Sequence, residues 1–250
     1  MKFLISFFNI LWRLWFVIIA FIYIIPIGIF IVLPLSFSNK TFPIAYKLIQ
    51  FWGTYMFYGM GFSKQYEKKT QLDKNESYIF IANHTSIIDI ILMLHVLKSH
   101  PIVFVGKAEL LKIPIFGRIY KQICIPVDRT SLKSRAQVFP LAKERLNAGL
   151  NIFIFPEGGV SDDTSIILDK FKDGAFSIAI ETKTPIAIFT IIGLKKMFPF
   201  DNFKGYPGKA KVVLNEIVKT EHLSIEDKND LKDYCHKVIL EELEKYPTKI

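Results

Sequence analysis

Two long apolar segments open the chain. No residue from 14 to 39 is charged, and a helix rising about 1.5 Å per residue would be long enough there to cross the hydrocarbon of a bilayer. A second uncharged segment, 48–62, is rich in aromatic residues, which favour the boundary between water and lipid. Two arrangements compete, a single span and a pair of helices lying in one leaflet. Because Pro26, Gly28 and Pro34 weaken a straight spanning helix, we expect the pair.

Short apolar runs then alternate with helical patterns. This alternation predicts an α/β fold with a largely parallel sheet flanked by helices. The predicted strands are 78–82, 102–105, 123–127, 152–155, 186–191 and 211–214. We therefore divide the chain into N-terminal membrane-associated helices at residues 1–65 and a single α/β domain at residues 66–250.

Two of the predicted helices have features of their own. The helix at 131–148 contains Pro140, which should kink it or end its first half. The last helix has Ser224 as its N-cap. Its predicted apolar stripe consists of Leu231, Tyr234, Cys235, Val238 and Ile239.

Composition narrows the class of partner. The 250 residues are 51% hydrophobic and carry a net charge of +9, which suits either nucleic acid or an anionic membrane. Apolar segments beside dispersed lysines favour the membrane, and no nucleic-acid-binding signature is present, so we expect membrane lipid and no nucleic acid. The two cysteines, Cys124 and Cys235, do not resemble a disulfide framework, and no residues have metal-ligand spacing.

A histidine and an aspartate stand five residues apart just after the apolar run at 78–82. On one helix such residues differ in direction by about 140°, so His84 and Asp89 can meet only if His84 precedes the helix and Asp89 lies in its first turn. Ser86 as N-cap would put Asp89 at position N3, leaning back toward His84. Asp89 would then hold one imidazole nitrogen and leave the other to take a proton from a substrate hydroxyl. The plainer alternative is a helix-capping pair beside a surface histidine.

Three further motif blocks follow in order. They are Gly106-Lys107-Ala108-Glu109 with Ile113-Pro114-Ile115-Phe116-Gly117 and Ile125-Pro126-Val127-Asp128-Arg129, then Phe153-Ile154-Phe155-Pro156-Glu157-Gly158-Gly159, then Phe171-Lys172-Asp173-Gly174-Ala175 leading to Thr184-Pro185-Ile186. With the His84 and Asp89 pair, these blocks resemble the glycerolipid acyltransferase family, most closely the 1-acyl-sn-glycerol-3-phosphate (lysophosphatidate) acyltransferases. The resemblance runs from about residue 78 to 191.

The resemblance implies a role for particular residues. His84 would be the general base that deprotonates the acceptor hydroxyl, with Asp89 as its orienting partner. Arg129, with Lys107 nearby in sequence, would contact the phosphate of the acceptor.

Other blocks carry the rest of the implied site. Glu157 and Gly158 would shape the acceptor site, and Pro185 would belong to the region associated with the acyl donor. The residues themselves suggest that Gly158 and Gly159 either form a turn with positive φ or bring backbone amides close to a developing oxyanion.

One departure from the family pattern bears on the acceptor. Close relatives follow Phe-Pro-Glu-Gly with Thr-Arg-Ser, whereas this chain has Gly159-Val160-Ser161. The missing positive charge must come from Arg129, Lys107, Lys170 or Lys172. Otherwise the acceptor is not a phosphate monoester but another lyso-lipid, including one with an amino-acid head group. Glycerol-3-phosphate is a separate alternative acceptor.

These observations predict an acyltransferase bound to the cytoplasmic face of a membrane. It would use acyl-CoA or acyl-carrier protein as co-substrate, a lysophospholipid as acceptor and no cofactor. Since no Gly-x-Ser-x-Gly elbow is present, we expect direct transfer rather than a covalent acyl-enzyme. Two alternatives of another class are a thioesterase and a noncatalytic membrane lipid-binding protein.

Overall fold

The centre of the protein is a mixed β-sheet. The computed structural model describes residues 2–38, 40–114, 116–161, 163 and 165–247. Two residues of the features predicted above lie outside the described residues. They are Asn39, at the end of the first apolar segment, and Ile115, in the motif block that begins at Gly106. The strands are β1 (Ser63–Lys68), β2 (Ile79–Ile81), β3 (Ile102–Lys107), β4 (Cys124–Val127), β5 (Asn151–Ile154), β6 (Ile186–Ile192) and β7 (Lys209–Val218).

The strand order is β1-β7-β6-β2-β5-β3-β4. Every neighbouring pair is parallel except β6 and β7. The largely parallel α/β sheet predicted from the sequence is therefore confirmed, and each predicted strand is present. The prediction missed β1, which runs parallel to β7 at the edge of the sheet.

Helices cover both faces of this sheet. They are α1 (Lys2–Tyr23), α2 (Leu33–Leu35), α3 (Phe42–Gly59), α4 (Ile88–Val96), α5 (Phe116–Ile123), α6 (Leu132–Asn147), α7 (Gly174–Thr182), α8 (Leu194–Met197) and α9 (Lys228–Glu244), with 3-10 turns at Ala108–Lys112 and Ile225–Asp227. We call the face covered by α1, α3 and α4 the near face, and the face covered by α6, α7 and α9 the far face. Successive strand residues alternate between them: Phe80 packs in the near-face cluster, and Ile79 and Ile81 pack in the far-face cluster.

The first apolar segment forms one helical run. From α1 it continues through a π-helical stretch, Ile24–Val32, into α2. Pro26 cannot donate the backbone hydrogen bond of an α-helix, and at the end of the stretch the N–H of Leu33 reaches back five residues to Gly28. The run Leu4–Leu35 contains an 18-residue window with a mean hydropathy of 3.1, and by length and composition alone the run could cross a membrane.

The second apolar segment packs against the first as α3. The indole N–H of Trp15 donates to the carbonyl of Gly59 at 2.8 Å, and the Tyr23 hydroxyl donates to the carbonyl of Leu48 at 2.8 Å. Two helices therefore lie side by side, as the sequence predicts. The predicted boundary between residues 65 and 66 falls inside β1, so the chain enters the sheet directly from this helix pair.

Three predictions about the far-face helices differ from the structure in part. Of the two outcomes predicted at Pro140, an end of the helix is wrong, because α6 is continuous from Leu132 to Asn147, while a kink stays a prediction. The stripe of α9 is buried at Leu231, Cys235 and Ile239, but Tyr234 is 46% exposed. Tyr234 precedes Cys235 and so points about 100° away from the buried stripe. Ser224 forms a capping box with Asp227, but it caps the 3-10 turn Ile225–Asp227, and α9 itself begins at Lys228 with Asp227 as its N-cap.

Candidate active site

His84 and Asp89 meet in the loop between β2 and α4. His84 lies after the end of β2, and Asp89 lies in the first turn of α4. The Nδ1 atom of His84 is 3.0 Å from Oδ2 of Asp89. The predicted contact is therefore present, with Nδ1 engaged and Nε2 remaining as the nitrogen that can accept a proton.

Asp89 is held in place by backbone donors. Its side chain is fully buried, and its Oδ2 also accepts hydrogen bonds from the N–H groups of Thr85 at 2.6 Å and Ser86 at 2.8 Å. These contacts fix the position of the Asp89 carboxyl group beside the imidazole of His84.

The helix cap differs from the prediction. Helix α4 begins at Ile88 with Ile87 as its N-cap, so Asp89 occupies position N2 rather than N3. The hydroxyl of Ser86 donates to the carbonyl of Phe198 at 2.8 Å and accepts the N–H of Ile88 at 3.2 Å. Ser86 therefore still accepts a backbone donor at the start of α4, although the helix begins one residue later than predicted.

Neighbouring strands orient the histidine. The ring of His84 stacks on Phe155, with centroids 4.0 Å apart and planes 16° apart. Just before it, Asn83 exchanges two 2.8 Å hydrogen bonds with the backbone of Ile191 at the end of β6. Neither function was assigned from the sequence, although Asn83 and Phe155 stand inside the motif blocks. The loop is consequently fixed to β5 on one side and to β6 on the other.

Glu157 holds the same loop through the backbone. Its Oε1 accepts the N–H of His84 at 2.6 Å, and its Oε2 accepts the N–H of Asp169 at 3.1 Å. Burial raises the pKa of Glu157 to about 7, against the opposing effect of these two donors. The carboxyl group therefore positions the backbone at His84 rather than facing an open cleft.

Two cations flank the glycine turn that follows. Gly158 has φ of +80°, and a Cβ there would lie 2.8 Å from Nζ of Lys172. A Cβ on Gly159 would lie 3.6 Å from Nη1 of Arg129. Only glycine allows Lys172 to approach this closely, so the turn brings Lys172 and Arg129 to one small area.

The predicted oxyanion function is excluded for one of the two glycines. The N–H of Gly158 donates to the carbonyl of Phe155 at 3.0 Å, so it is not available to an oxyanion, whereas the same function for Gly159 stays a prediction. The interpretation of Gly158 as a turn residue with positive φ is the one that holds.

The remaining predicted residues divide between the two ends of the sheet. Lys107 ends β3, where it pairs with Val127, two residues before Arg129. Pro185 precedes β6, and its carbonyl accepts the N–H of Ile79 at the start of β2. Because β2 and β6 are parallel, Pro185 lies at the opposite end of the sheet from His84. The structure therefore does not bring Pro185 to the other site residues.

The chain is similar to known proteins, both to a family as a whole and to individual relatives. A family model described as Acyltransferase matches residues 64–192, just over half of the chain. A chloroplastic 1-acyl-sn-glycerol-3-phosphate acyltransferase from Brassica napus is 31% identical over 122 residues, which are 48% of this chain and 34% of that protein. The beta form from Homo sapiens is 26% identical over 185 residues, covering 73% of this chain and 65% of that protein.

The fold has a counterpart among solved structures. The crystal structure of PlsC, the 1-acyl-sn-glycerophosphate (LPA) acyltransferase from Thermotoga maritima, matches with a TM-score of 0.78 and 27% identity, and the match covers 98% of this chain and 97% of that one. By contrast, the chain matches only about a third of the length of the Brassica napus protein and of a similar Arabidopsis thaliana protein.

Proposed function

The chain belongs to the acyltransferase family, and on that premise we propose that it transfers a fatty acyl group from an acyl thioester to the free hydroxyl of 1-acyl-glycerol-3-phosphate, giving phosphatidate. The observation that carries the proposal is the 3.0 Å contact between Nδ1 of His84 and Asp89. Because Asp89 engages Nδ1, the Nε2 atom of His84 is the nitrogen that can act as the base. The names of the Brassica napus, human and Thermotoga maritima relatives support lysophosphatidate as the acceptor.

The proposed reaction is a direct transfer. Nε2 of His84 takes the proton of the acceptor hydroxyl while the hydroxyl oxygen attacks the thioester carbonyl carbon. Asp89 stabilises the imidazolium that forms. When the tetrahedral intermediate collapses, the carbon–sulfur bond breaks, and the thiol leaves with the proton returned by His84.

The two cations beside the glycine turn support a phosphate group as part of the acceptor. Guanidinium offers paired donors to phosphate oxygens, and an ammonium group adds a point charge. Lys172 approaches Gly158, and Arg129 approaches Gly159. Gly159 stands where the family pattern described above begins its Thr-Arg-Ser segment. In this proposal they supply the charge that Val160 does not.

The helix pair supports attachment to one leaflet rather than a free span. Near the start of the first helical run, Leu4–Leu35, Arg13 donates to the carbonyl of Pro199 in the α/β domain. Just past the end of this run, the guanidinium of Arg118 lies over Phe37, 4.3 Å from the ring centroid. These positions are 24 residues apart, about 36 Å along a helix. A helix that contacts the α/β domain near both ends lies along it, so we propose that the exposed apolar side rests in the membrane, with the catalytic domain on the cytoplasmic face.

An acyl-transfer assay tests the proposal. Wild-type protein, His84→Ala and the control His222→Ala, which alters an exposed histidine, are given lysophosphatidate with either acyl-CoA or acyl-carrier-protein donor. We expect phosphatidate from the wild type and the control, and a loss of about 10² to 10⁴-fold in His84→Ala. Transfer by His84→Ala at the wild-type rate would rule out the proposed base.

A second candidate acceptor is favoured by Gly159-Val160-Ser161. The same assay is run with lyso-lipids that lack a phosphate monoester, and with no acceptor at all. Equal rates on all lyso-lipids would replace lysophosphatidate by the broader acceptor class. Release of free fatty acid without any acceptor would indicate a thioesterase.

A further inference from the structure

We propose that residues 198–206, between α8 and β7, form a second membrane contact that enters the head-group region of the leaflet in which α1 lies. This surface is separate from the helix pair and from the acyl-transfer site. We call it the 198–206 segment. Its occupant in this proposal is the lipid leaflet itself.

The segment exposes aromatic side chains that no part of the protein covers within the described residues. Phe200 is 64% exposed, Phe203 is 59% exposed and Tyr206 is 52% exposed. Aromatic side chains of this kind partition favourably into the boundary between water and lipid. Three within seven residues make an apolar surface patch rather than a single exposed ring.

The segment is fixed against α1 over about one helical turn. The Nη2 atom of Arg13 donates to the carbonyls of Pro199 at 2.5 Å and Lys204 at 3.0 Å, and Asn9 Nδ2 donates to the carbonyl of Phe203 at 2.8 Å. At Gly205 a Cβ would lie 3.0 Å from the ring of Trp12, so this ring lies against the backbone of the segment. The patch therefore continues from α1 as part of one surface.

The adjoining part of α1 has the same character. Leu4, Ile5 and Phe8 are 57%, 54% and 63% exposed, and they lie within the two turns around Asn9. This continuity is the argument for lipid as the occupant, because any medium that covers the apolar side of α1 also reaches the attached segment. Since Lys204 pairs with Asp201 at 3.0 Å, the aromatic rings rather than net charge provide the attraction.

The segment also touches the candidate active site. Phe198 accepts the hydroxyl of Ser86 at 2.8 Å through its carbonyl, and its ring lies 3.7 Å from the guanidinium of Arg13. Ser86 in turn donates its N–H to Asp89. One residue thus connects the membrane helix to the loop of His84 and Asp89, so the contact fixes the height of that loop above the leaflet.

The first experiment detects the contact directly in the full chain. Phe203→Cys and the control Ile225→Cys are each labelled with an environment-sensitive fluorophore and added to phosphatidylcholine vesicles that contain a minor share of phosphatidylglycerol. Ile225 is 51% exposed in the 3-10 turn before α9, on the far face, and the native Cys124 and Cys235 are buried. We expect a blue shift and quenching by head-group nitroxide lipid at position 203 only.

The second experiment measures the consequence for catalysis. The double variant Phe200→Ser with Phe203→Ser is compared with Ile225→Ser, using acceptor in vesicles and acceptor dispersed in detergent. We expect about a tenfold loss on vesicles, corresponding to weakened partition of two aromatic rings, and a change within about twofold in detergent. If the double variant does not fold, Phe203→Ser alone should lose about threefold, and Phe203→Trp should keep the wild-type rate.

Three results would overturn the proposal. One is an unchanged emission at position 203 on addition of vesicles. Another is a shift at position 203 that appears without vesicles and increases with protein concentration, which would indicate a second copy of the chain as the occupant. The third is an equal loss of activity in vesicles and in detergent, which would make the segment a structural support of the site. Failure of acyl transfer by the wild type would leave the fluorescence result intact, so the two proposals fail separately.

Discussion

Helices α1 and α9 lie on opposite faces of the same sheet and differ in whether their apolar side chains are buried or exposed. Helix α9 buries Leu231, Cys235 and Ile239 at intervals of four residues and turns most of its charged residues outward, apart from Glu242, which is buried and pairs with Lys69. Helix α1 exposes most of its leucine, isoleucine and phenylalanine residues, and among its described side chains only Ile19 and Tyr23 are buried. The two helices therefore match two different surroundings.

This difference indicates that the two faces of the sheet are covered by helices suited to different surroundings. Apolar area in water is unfavourable by roughly 25 cal/mol per Å², so the periodicity of α9 fits a helix that faces water. Helix α1 is mostly apolar, including its exposed side, and fits a position between protein and lipid. We therefore expect changes on the far face to alter stability, and changes on the near face and at its loops to alter activity or membrane contact.

The largest expected effect is on the near face, at Asp89. Asp89→Asn keeps an oxygen for the backbone N–H groups of Thr85 and Ser86 but removes the charge that stabilises the imidazolium of His84. We expect the kcat for acyl transfer to fall about a thousandfold, with a melting temperature close to that of the wild type. Steady-state kinetics and circular dichroism melts in detergent provide the two measurements. A wild-type kcat would show that His84 does not need its carboxylate partner.

The matching change on the far face is Ile239→Ala. Ile239 is fully buried against the sheet, so truncation should lower the free energy of unfolding by about 2–5 kcal/mol. Denaturant titration measures this loss, and the kcat of the folded variant should stay within about twofold of the wild type. A large loss of kcat without a loss of stability would contradict the division between the two faces.

Gly158→Ala tests the turn at the end of the sheet, and Gly149→Ala is its control. Both glycines have positive φ, +80° and +75°, so both variants introduce similar backbone strain. Only at Gly158 does the new Cβ meet Lys172, since nothing lies within 4 Å of the position at Gly149. We expect about a tenfold rise in the KM for lysophosphatidate for Gly158→Ala alone. Equal KM values in the two variants would remove Lys172 from the acceptor site.

The last prediction concerns Glu157 and the pH dependence of the unfolding free energy. With a folded pKa near 7 against an ordinary value of 4.5, the folded protein keeps a proton that the unfolded chain releases earlier. The stabilisation from this group is therefore fully present below pH 4.5 and is lost as the pH rises toward 7. Glu157→Gln should flatten this dependence. The difference in unfolding free energy between wild type and variant should change by about 1.4 kcal/mol per pH unit over that range, about 3 kcal/mol in all, with the wild type losing stability. A constant difference would contradict the raised pKa.

The sequence was sufficient for the sheet because the central strands are continuous apolar runs. Strands β2 and β6 are buried along their whole length, and such runs are recognisable without periodicity. Strand β1 was missed because Ser63–Lys68 is mostly polar and lies at an edge, where its pairing with β7 depends on residues far along the chain. The predicted family is confirmed by the family model.

The candidate site was only partly predictable, for a related reason. His84 and Asp89 are close in sequence, so helix geometry alone could predict their contact. The bond from Ser86 to Phe198 and those from Asn83 to Ile191 join residues more than a hundred positions apart. Such contacts depend on the tertiary packing and leave no local pattern. Pro185 was misplaced because a motif block does not reveal at which end of a strand it stands.

The entry of the chain into the sheet has a practical consequence for isolating the enzyme. Strand β1 follows α3 almost at once, and its partner β7 comes from the other end of the chain. Removing the helix pair to obtain a water-soluble fragment would uncover near-face residues such as Phe62 and Phe198, which pack against Trp12 of α1, and a cut beyond Lys68 would also expose the edge of β7. Purification in detergent or nanodiscs is therefore better suited to this protein than N-terminal truncation.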